Sequence, residues 1–452
     1  MKIVIVGGGT AGWLAALSIS KAQPNIHDIT VIESDEVPIS GAGEGSTQLF
    51  WDFINNTWFN TGINLEDFIK ECNVTPKIGI KHVNWKGDGT SYFAPLDGSS
   101  TSGMSPDVEF CKAFLKDPNM PYISSRLGQD YENKRVTGWS SFHFDAHKVG
   151  AYFSKLAIQS GVKHIKKHVF GVGVVGKKID FIITKDREKI HGDFFIDCTG
   201  FKRSLAGGMN MKWKSYKELL PVDKAVTFQL PHNKDFEPLT TATAMKFGWM
   251  WKIPTSERYG LGYVYDSKYV NDLEIKKEIL QHFDTEIKFL NEFNFESGRG
   301  EVLWKENCLT LGLASAFAEP LEATSIHTTI MQTMVFIMEN LKATVEETCI
   351  DSQIKRYNEH IIKMYDDFRD FLIIHYKGGR KDTEFWRYMN SNEVNTKKTS
   401  YILDLCNTSI PSSLSIDHYF GCAGSMLYNW VLAGIGKIKQ DNVRKTLELF
   451  SL

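Results

Sequence analysis

Three glycines spaced as Gly7-x-Gly9-x-x-Gly12 place the strongest constraint on how this chain can fold. The continuous apolar run Ile3–Val6 precedes them, as expected of a parallel strand buried on both faces. Leu14–Lys21 follows with a helical pattern. A second apolar run, Ile29–Ile32, ends at Glu33. This order of strand, glycine turn, helix and strand predicts a βαβ unit that opens a doubly wound, Rossmann-like α/β fold.

A glycine turn of this kind binds dinucleotides, because its backbone approaches a pyrophosphate whose charge sits at the following helix N-terminus. The acidic residue after the second strand then accepts a hydrogen bond from a ribose hydroxyl. The alternative is a purely structural glycine turn. The sequence therefore predicts cofactor contacts from the following residues: Gly7, Gly8, Gly9, Thr10, Ala11, Gly12, Glu33 and Ser34.

A second signal bears on which dinucleotide is bound. Phe194–Gly200 reads as a strand that ends in Asp197-Cys198-Thr199-Gly200, which alone is only a strand followed by a turn. Together with the first motif it resembles the distal FAD motif of glutathione-reductase and hydroxybenzoate-hydroxylase flavoproteins, which favours FAD. A third glycine cluster, Gly41–Thr47, is either a flexible surface loop or a loop over the flavin. The second interpretation places Val37, Glu44 and Gly45 near the flavin.

Composition narrows the functional class. With 42% hydrophobic residues, 23% charged residues and a net charge of −2, the chain suits a soluble protein with a sizeable core and lacks the basic excess of nucleic-acid-binding proteins. Its seven cysteines contain no CxxC pair, which fits reduced thiols in the cytoplasm and predicts no metal site. No apolar stretch approaches the roughly 20 residues that a membrane-spanning helix needs. The oligomeric state, including a homo-oligomer, stays open.

The segment Gly248–Pro254, with the sequence GWMWKIP, carries the strongest functional signal. Tryptophans at i and i+2 face the same side of a strand, and the proline then stops it. Alone, the pair is ordinary cross-strand aromatic packing. In a chain that opens with a dinucleotide-binding turn, WxWxIP resembles the flavin-dependent, tryptophan-type halogenases, in which this string separates them from flavin monooxygenases.

Further segments match that family in register, from residue 1 to about residue 387. Thr75–Trp85 is similar to the family's lysine segment, and Glu319–Ile326 is similar to its E-P-L-E-S-T-G-I motif. The resemblance implies that Lys77 and Glu322 are catalytic and that Thr324 and Ser325 contact the halide. It adds Val169, Leu313 and Ile326 to the flavin site. Three shorter stretches also match: Phe142–His147, Gly262–Tyr265 and Phe385–Arg387.

The residue types suit halogenation on chemical grounds. Reduced flavin and oxygen supply the oxidising power that turns halide into hypohalous acid, which is indiscriminate unless a group holds it. A lysine can hold it by hydrogen bonding or as a haloamine, and desolvation would lower the lysine pKa enough to help. A carboxylate can stabilise the ring cation of aromatic substitution and remove its proton. Two bland alternatives stay open: Lys77 and Lys81 on one solvated face, and Glu319 and Glu322 as helix-start residues.

Two departures from the family bear on halide and substrate. Ala323 and Ser325 replace the motif's serine and glycine, and serine lacks the freedom of glycine at positive φ, which predicts an altered halide pocket. The C-terminal part is shorter than in members that act on free tryptophan. Their amino-acid clamp is only faintly echoed by Tyr428–Gly434, and no clamp residue is carried over. An open site for various indoles or phenols is at least as well supported as one for tryptophan.

The sequence therefore predicts FADH2- and O2-dependent halogenation of a small electron-rich aromatic compound. The absence of a second dinucleotide fingerprint predicts that a separate flavin reductase supplies FADH2. The alternative is a flavin-dependent aromatic monooxygenase, which needs neither a remote lysine nor a halide turn. A third class is an inactive FAD-binding protein with a regulatory or assembly role.

The domain organisation follows from the same patterns. Residues 1–342 are expected to form the FAD module, with an inserted, largely antiparallel sheet at about residues 205–300. Residues 343–452 are expected to form a mainly helical C-terminal cap packed on that module.

Overall fold

The computed structural model describes most of the chain as one interleaved α/β structure. The described ranges are 1–22, 28–37, 44–97, 102–136, 139–232, 235–346, 351–416 and 422–450. The first three glycine-cluster residues, at positions 41–43, and Cys349 lie outside them. The described cysteines are free thiols: Cys72, Cys111, Cys198, Cys308, Cys406 and Cys422.

The opening βαβ unit forms as the glycine spacing predicts. Lys2–Val6 pairs in parallel with Asp28–Glu33 on one side and with Phe194–Asp197 on the other. Helix Thr10–Ala22 starts directly after the glycine turn and buries most of its length. Glu33 ends its strand, so the carboxylate lies at the same sheet edge as the glycines. The full six-stranded sheet has the spatial order Trp304–Lys305, Cys308–Thr310, Phe194–Asp197, Lys2–Val6, Asp28–Glu33 and Lys163–Lys166.

A seven-stranded sheet forms the second layer and confirms the inserted, largely antiparallel sheet. Its spatial order is Phe289–Asn294, Lys224–Leu230, Tyr259–Tyr265, Gly248–Pro254, Leu239–Ala244, Gly79–Val83 and Ser91–Pro95. The last two strands come from outside the expected span of about 205–300. Gly79–Val83 pairs in parallel with Leu239–Ala244, and that pairing attaches the lysine segment to the sheet that holds the tryptophan pair.

Three small sheets complete the strands. One has the order Lys189–His191, Lys178–Thr184 and Val169–Val175, and a second has Trp213–Ser215, Gly298–Gly300 and Ala316–Phe317. The third has Glu44–Gly45, Phe142–Phe144 and Thr75–Pro76. This third sheet positions Lys77, because Lys77 directly follows Pro76.

Helices cover both sheets. The α-helices of the first 345 residues are Thr10–Ala22, Gln48–Ile54, Leu65–Glu71, Pro106–Lys116, Arg126–Glu132, Ala146–Gln159, Ser204–Gly208, Asp272–Phe283, Thr324–Val335 and Lys342–Val345. Ile5, Leu14 and Ile330 belong to one buried cluster, which places the main core between the six-stranded sheet and two of these helices. No helix within the described ranges is both long and apolar enough to cross a membrane.

The described residues of the C-terminal part form helices joined by turns and irregular segments, with no strand among them. Its α-helices are Asp351–His375, Glu384–Met389, Lys397–Leu405, Ser425–Gly434 and Gln440–Leu449. The boundary expected at residues 342 and 343 falls inside a continuous helical run, because a π-helical turn, Phe336–Leu341, joins Thr324–Val335 to Lys342–Val345. The division into two domains at that point therefore stays a prediction.

Candidate active site

One cavity of about 580 Å³ extends from the glycine turn to Lys77. Trp249 and Trp251 both line it, which confirms that the two indoles share a face of their strand. All but one of the residues predicted to contact the flavin line it as well: Gly7, Gly8, Gly9, Thr10, Ala11, Glu33, Ser34, Val37, Glu44, Gly45, Val169, Leu313 and Ile326. The residues predicted to contact the flavin therefore line one continuous cleft, although their segments lie more than 300 residues apart in the sequence.

Gly12 is the exception, because it allows the backbone to pack closely and does not line the cavity. A Cβ at Gly12 would lie 1.9 Å from the carbonyl oxygen of Gly7, so this glycine permits close packing and does not line the cavity. Gly7 has φ of 113° and faces the Cys198 carbonyl, where a Cβ would lie 2.1 Å from the oxygen. A Cβ at Gly9, by contrast, would meet open space. Gly9 thus leaves room for a ligand against the backbone.

The cleft fits a dinucleotide such as FAD. Helix Thr10–Ala22 begins at the cavity wall, so its free first-turn amides face the cavity. Lys167 and Lys202 also line the cavity and bring positive charge to it, although Lys167 is paired with Asp186 and Glu188. An anionic pyrophosphate and a ribose hydroxyl are the groups that such a wall and the Glu33 carboxylate would hold.

Lys77 is a buried residue in the wall of this cavity. Its side chain is 0% exposed, and Nζ donates a hydrogen bond to the Ser46 carbonyl oxygen at 2.9 Å. A Cβ at Gly45 would lie 3.1 Å from Nζ, so the absence of a side chain at Gly45 makes room for the amine. Lys81 differs, because its side chain is 27% exposed and pairs with Glu237. The solvated-face interpretation is therefore wrong for Lys77.

Burial changes the proton affinity of Lys77. Desolvation lowers the pKa of the amine to about 8, and the carboxylate of Glu322 opposes this shift. The neutral amine is consequently accessible close to physiological pH. The same environment lowers the pKa of His143, since burial and the Lys77 charge both disfavour an imidazolium there.

Glu319 joins the tryptophan strand to the glutamate segment. Its Oε1 accepts hydrogen bonds from the Trp249 indole at 3.1 Å and from the Tyr376 hydroxyl at 2.6 Å. Burial raises the pKa of this carboxyl to about 7, although both hydrogen bonds favour the ionised form. Glu319 is thus a buried anchor, and it holds the segment that carries Glu322.

Glu322 contacts the end of the long C-terminal helix Asp351–His375. His375 Nδ1 lies 2.9 Å from the Phe371 carbonyl oxygen and can only donate there, while His375 Nε2 lies 2.8 Å from Glu322 Oε1. A proton must therefore occupy the gap between Nε2 and Oε1, because two lone pairs at that distance would repel each other. The side chain of Glu322 is 12% exposed and does not line the cleft. Lys77 and Glu322 interact electrostatically, yet only Lys77 borders the cleft.

His82 lies next to Glu322 and His375. Its imidazole is fully buried, stacks on Tyr92 with ring centroids 4.6 Å apart, and lies 5.2 Å from the His375 ring. Nε2 is 3.7 Å from Glu322 Oε1, and neither ring nitrogen completes a hydrogen bond with a described residue. The Tyr92 hydroxyl is likewise buried without a described hydrogen-bond partner.

The segment proposed to contact halide differs from expectation in its backbone. Ala323, not Ser325, takes the left-handed conformation, with φ of 53°, and helix Thr324–Val335 begins immediately after it. Residue 325 is helical, so it does not need the positive φ that glycine allows. The prediction that the loss of this freedom alters the halide pocket is therefore wrong. Ser325 lines the cleft, whereas Thr324 is buried and does not.

Sequence reasoning did not single out His82, Tyr92 or His375. His82 lies inside the lysine segment and was passed over because a lone histidine has no motif of its own. His375 lies near the end of a 25-residue helix, 53 positions from Glu322. Tyr428 and Trp430, in the segment that echoes an amino-acid clamp, are buried in a core cluster, and the Tyr428 hydroxyl is 3.4 Å from Asp367.

Comparison with known proteins identifies the family. The tryptophan halogenase family model matches residues 2–444. The chain is 33% identical over 426 residues to tryptophan 7-halogenase RebH of Lentzea aerocolonigenes, covering 85% of this chain and 78% of RebH. It is 29% identical to the 7-chloro-L-tryptophan 6-halogenase KtzR of Kutzneria sp., covering 97% and 91%.

Solved structures agree over the full length. Tryptophan 6-halogenase SttH of Streptomyces toxytricini superimposes with a TM-score of 0.86 at 25% identity, covering 100% of this chain and 95% of SttH. A flavin-dependent halogenase from Xanthomonas campestris gives 0.84 at 25% identity, covering 99% and 93%. Since the family model spans nearly every residue and these folds match from end to end, the chain belongs to the tryptophan halogenase family of flavin-dependent enzymes.

Proposed function

We propose that the protein uses FADH2 and O2 to halogenate a small, electron-rich aromatic compound through hypohalous acid. The observation that carries this proposal is the position of Lys77. Its amine is fully buried in the wall of the dinucleotide cleft, and it interacts with the carboxylate of Glu322, which does not line the cleft. An oxidant made in the cleft therefore meets one amine before it can reach the carboxylate.

The roles of the two residues follow from their surroundings. Bound FADH2, with oxygen and halide, supplies the hypohalous acid. Neutral Lys77 holds that species, by accepting its hydrogen bond or as a haloamine, with its pKa near 8 keeping part of the amine neutral. Glu322 stabilises the cationic ring and accepts its proton, while His375 holds Oε1 in a fixed orientation.

The halide is proposed to bind at the start of helix Thr324–Val335. The first amides of this helix, including that of Ser325, lack intrahelical acceptors and can hold an anion. Ser325 lines the cleft, which supports contact with a halide close to the flavin. Chloride, bromide and iodide all satisfy such a site.

For the substrate we propose an indole or phenol, accepted without a tight grip on free tryptophan. The named relatives act on tryptophan or 7-chlorotryptophan. In this chain the aromatic side chains of Tyr428 and Trp430 are buried in a core cluster. They are therefore poorly placed to clamp an amino acid. A separate flavin reductase is the proposed source of FADH2.

Product masses test the proposed function. Purified protein, FAD, a flavin reductase, NADH and oxygen are combined with a panel of indoles and phenols, including tryptophan, and each halide in turn. A mass increase equal to replacing hydrogen by the supplied halogen is expected. Hydroxylated product formed regardless of halide would establish the monooxygenase alternative instead, and tight, exclusive use of tryptophan would contradict the substrate proposal.

A further inference from the structure

We propose that His82, Glu322 and His375 form a binding site for a divalent transition-metal ion of the Zn²⁺ type. Bound there, the ion would reversibly block the Glu322 carboxylate. The three residues come from the strand Gly79–Val83, the turn before helix Thr324–Val335, and the long helix Asp351–His375. Each offers one ligand atom, and these atoms all lie within 4.8 Å of one another.

The distances suit a single ion after small side-chain movements. Ligand atoms about 2.0–2.1 Å from one tetrahedral Zn²⁺ lie roughly 3.4 Å from each other. Glu322 Oε1 is 2.8 Å from His375 Nε2 and 3.7 Å from His82 Nε2, and these two distances bracket that value; the two imidazoles offer ligand atoms within 4.8 Å of each other. In the metal-free protein a proton fills the shorter gap, and an ion would displace it.

The surroundings of the two imidazoles point to a ligand. His375 Nδ1 donates to the Phe371 carbonyl oxygen, which turns Nε2 toward Glu322, as outer hydrogen bonds do for metal-ligating histidines. His82 is 0% exposed, and neither of its nitrogens completes a hydrogen bond of good geometry with a described residue, although the backbone of Ile80 lies close to the ring. A buried imidazole with incomplete hydrogen bonding is costly, and a metal ion would satisfy it.

The donor set selects the class of ion. Two imidazole nitrogens and one carboxylate oxygen suit Zn²⁺, Co²⁺, Ni²⁺ and Cu²⁺, whereas Mg²⁺ and Ca²⁺ prefer oxygen ligands. Glu322 is the partly exposed member of the three, so the ion can enter on its side. Three protein ligands leave a fourth position for water or an added ligand.

The expected consequence rests on the proposed function. A metal ion on Oε1 would occupy the carboxylate that is proposed to accept the ring proton, and its charge would oppose a cationic ring nearby. Halogenation should slow while FADH2 oxidation in the cleft continues, because Glu322 does not line the cleft. The ion is thus an inhibitor and takes no part in the reaction.

Cobalt titration tests binding without any need for activity. Co²⁺ is added to the full-length protein, and visible d–d absorption is expected to saturate at one ion per chain and to disappear when Zn²⁺ is added. His82→Phe, which retains an aromatic ring against Tyr92, should weaken binding about 100-fold or more. His191→Phe is the matched control, since His191 is exposed on the strand Lys189–His191, and its affinity should equal that of the unaltered protein.

Zinc-edge X-ray absorption on the unaltered protein guards against a folding defect in the variant. Two imidazoles and low-atomic-number oxygen ligands, without sulfur, are expected, which distinguishes this site from binding to cysteines. Absence of stoichiometric binding, sulfur ligation, or equal affinity in His82→Phe and the unaltered protein would overturn the proposed site.

Inhibition is measured separately, so that the two proposals can fail independently. With the unaltered protein, Zn²⁺ should lower product formation at least about tenfold at saturation, a chelator should restore it, and the rate of FADH2 oxidation should stay constant. If no halogenated product forms even with chelator, the proposed function fails while the cobalt result still decides the metal site. Binding without inhibition would overturn the blocking role.

Discussion

The glycine end and the reactive end of the cleft are built in opposite ways. At the glycine end, one contiguous segment, residues 7–12, presents backbone to the cavity, and two of its glycines are needed because a Cβ would strike a carbonyl oxygen. At the reactive end, Lys77 lines the cleft, and titratable side chains that are fully or largely buried come from other segments: Glu319, Glu322 and His375. Backbone amides keep their charge distribution at any pH, whereas buried amines and carboxyls do not.

This difference separates two kinds of failure. Damage at the glycine end should remove the cofactor and therefore every activity. Damage at the reactive end should leave the flavin chemistry intact and remove only the transfer of halogen to the ring.

The largest effect is expected from Gly9→Trp. The indole would fill the open space beside the glycine turn and exclude the cofactor, so FAD affinity should fall about 1,000-fold or more. Fluorescence titration of the apoprotein measures this, and its melting temperature should stay within a few degrees. Gly9→Ala is the control, because its Cβ meets no neighbour, and less than a tenfold loss of affinity is expected. Equal affinity in Gly9→Trp and the unaltered protein would contradict the flavin cleft.

Glu322→Gln should lower halogenation about 100-fold, because the amide can neither accept the ring proton nor stabilise the cation as well. Glu319→Gln is the matched control from the same segment. Its carboxyl has a pKa of about 7, so a neutral group already occupies that position in part at neutral pH, and a loss below about tenfold is expected. Single-turnover product formation gives both values, and similar losses in the two variants would remove the special role of Glu322.

A tenfold effect is expected from pH. Burial lowers the Lys77 pKa to about 8, so the neutral fraction of the amine rises roughly tenfold between pH 7 and pH 9. Single-turnover halogenation should therefore rise through an inflection near pH 8, since both proposed roles of the amine use its lone pair. FADH2 oxidation, followed in the same samples, should lack this inflection. A flat or falling halogenation profile would contradict the neutral-lysine role.

The smallest effect is expected from Ser325→Gly. Residue 325 lies in the first turn of a helix and has no positive φ, so glycine changes backbone energies by only about 0.5–1 kcal/mol. The bromide-to-chloride product ratio in a mixed-halide assay should therefore shift by no more than about fivefold. A shift of tenfold or more would show that the serine hydroxyl itself selects the halide.

The two ends also differ in how far sequence predicts them. The glycine end is predictable because its determinants are local: the glycines, the strand before them and Glu33 obey fixed spacings. The proposed roles of Lys77 and Glu322 were inferred from the family resemblance. Residue type alone favours a solvent-exposed position for a lysine that lies four positions from another lysine. Their burial, and the shifted pKa of Lys77, depend on packing among segments that no local pattern links.

His82, Tyr92 and His375 escaped sequence reasoning for the same physical reason. His375 reaches Glu322 only because a 25-residue helix packs across the turn before Thr324, and helical periodicity marks it as one buried residue among many. The seven-stranded sheet was partly predicted, but its two strands before residue 100 were not. Parallel pairing of Gly79–Val83 with Leu239–Ala244 joins segments about 160 residues apart, and no hairpin turn signals it.

The most direct test of the separation between the two ends follows flavin and product together in Lys77→Ala. Reduced enzyme is mixed with oxygen, halide and an indole, flavin absorbance is recorded during one turnover, and the quenched sample is analysed by mass spectrometry. Flavin oxidation should proceed at the rate of the unaltered protein, while halogenated product falls about 1,000-fold or more. Loss of flavin oxidation together with loss of halogenated product would contradict the account, because Lys77 would then be a structural part of the glycine end.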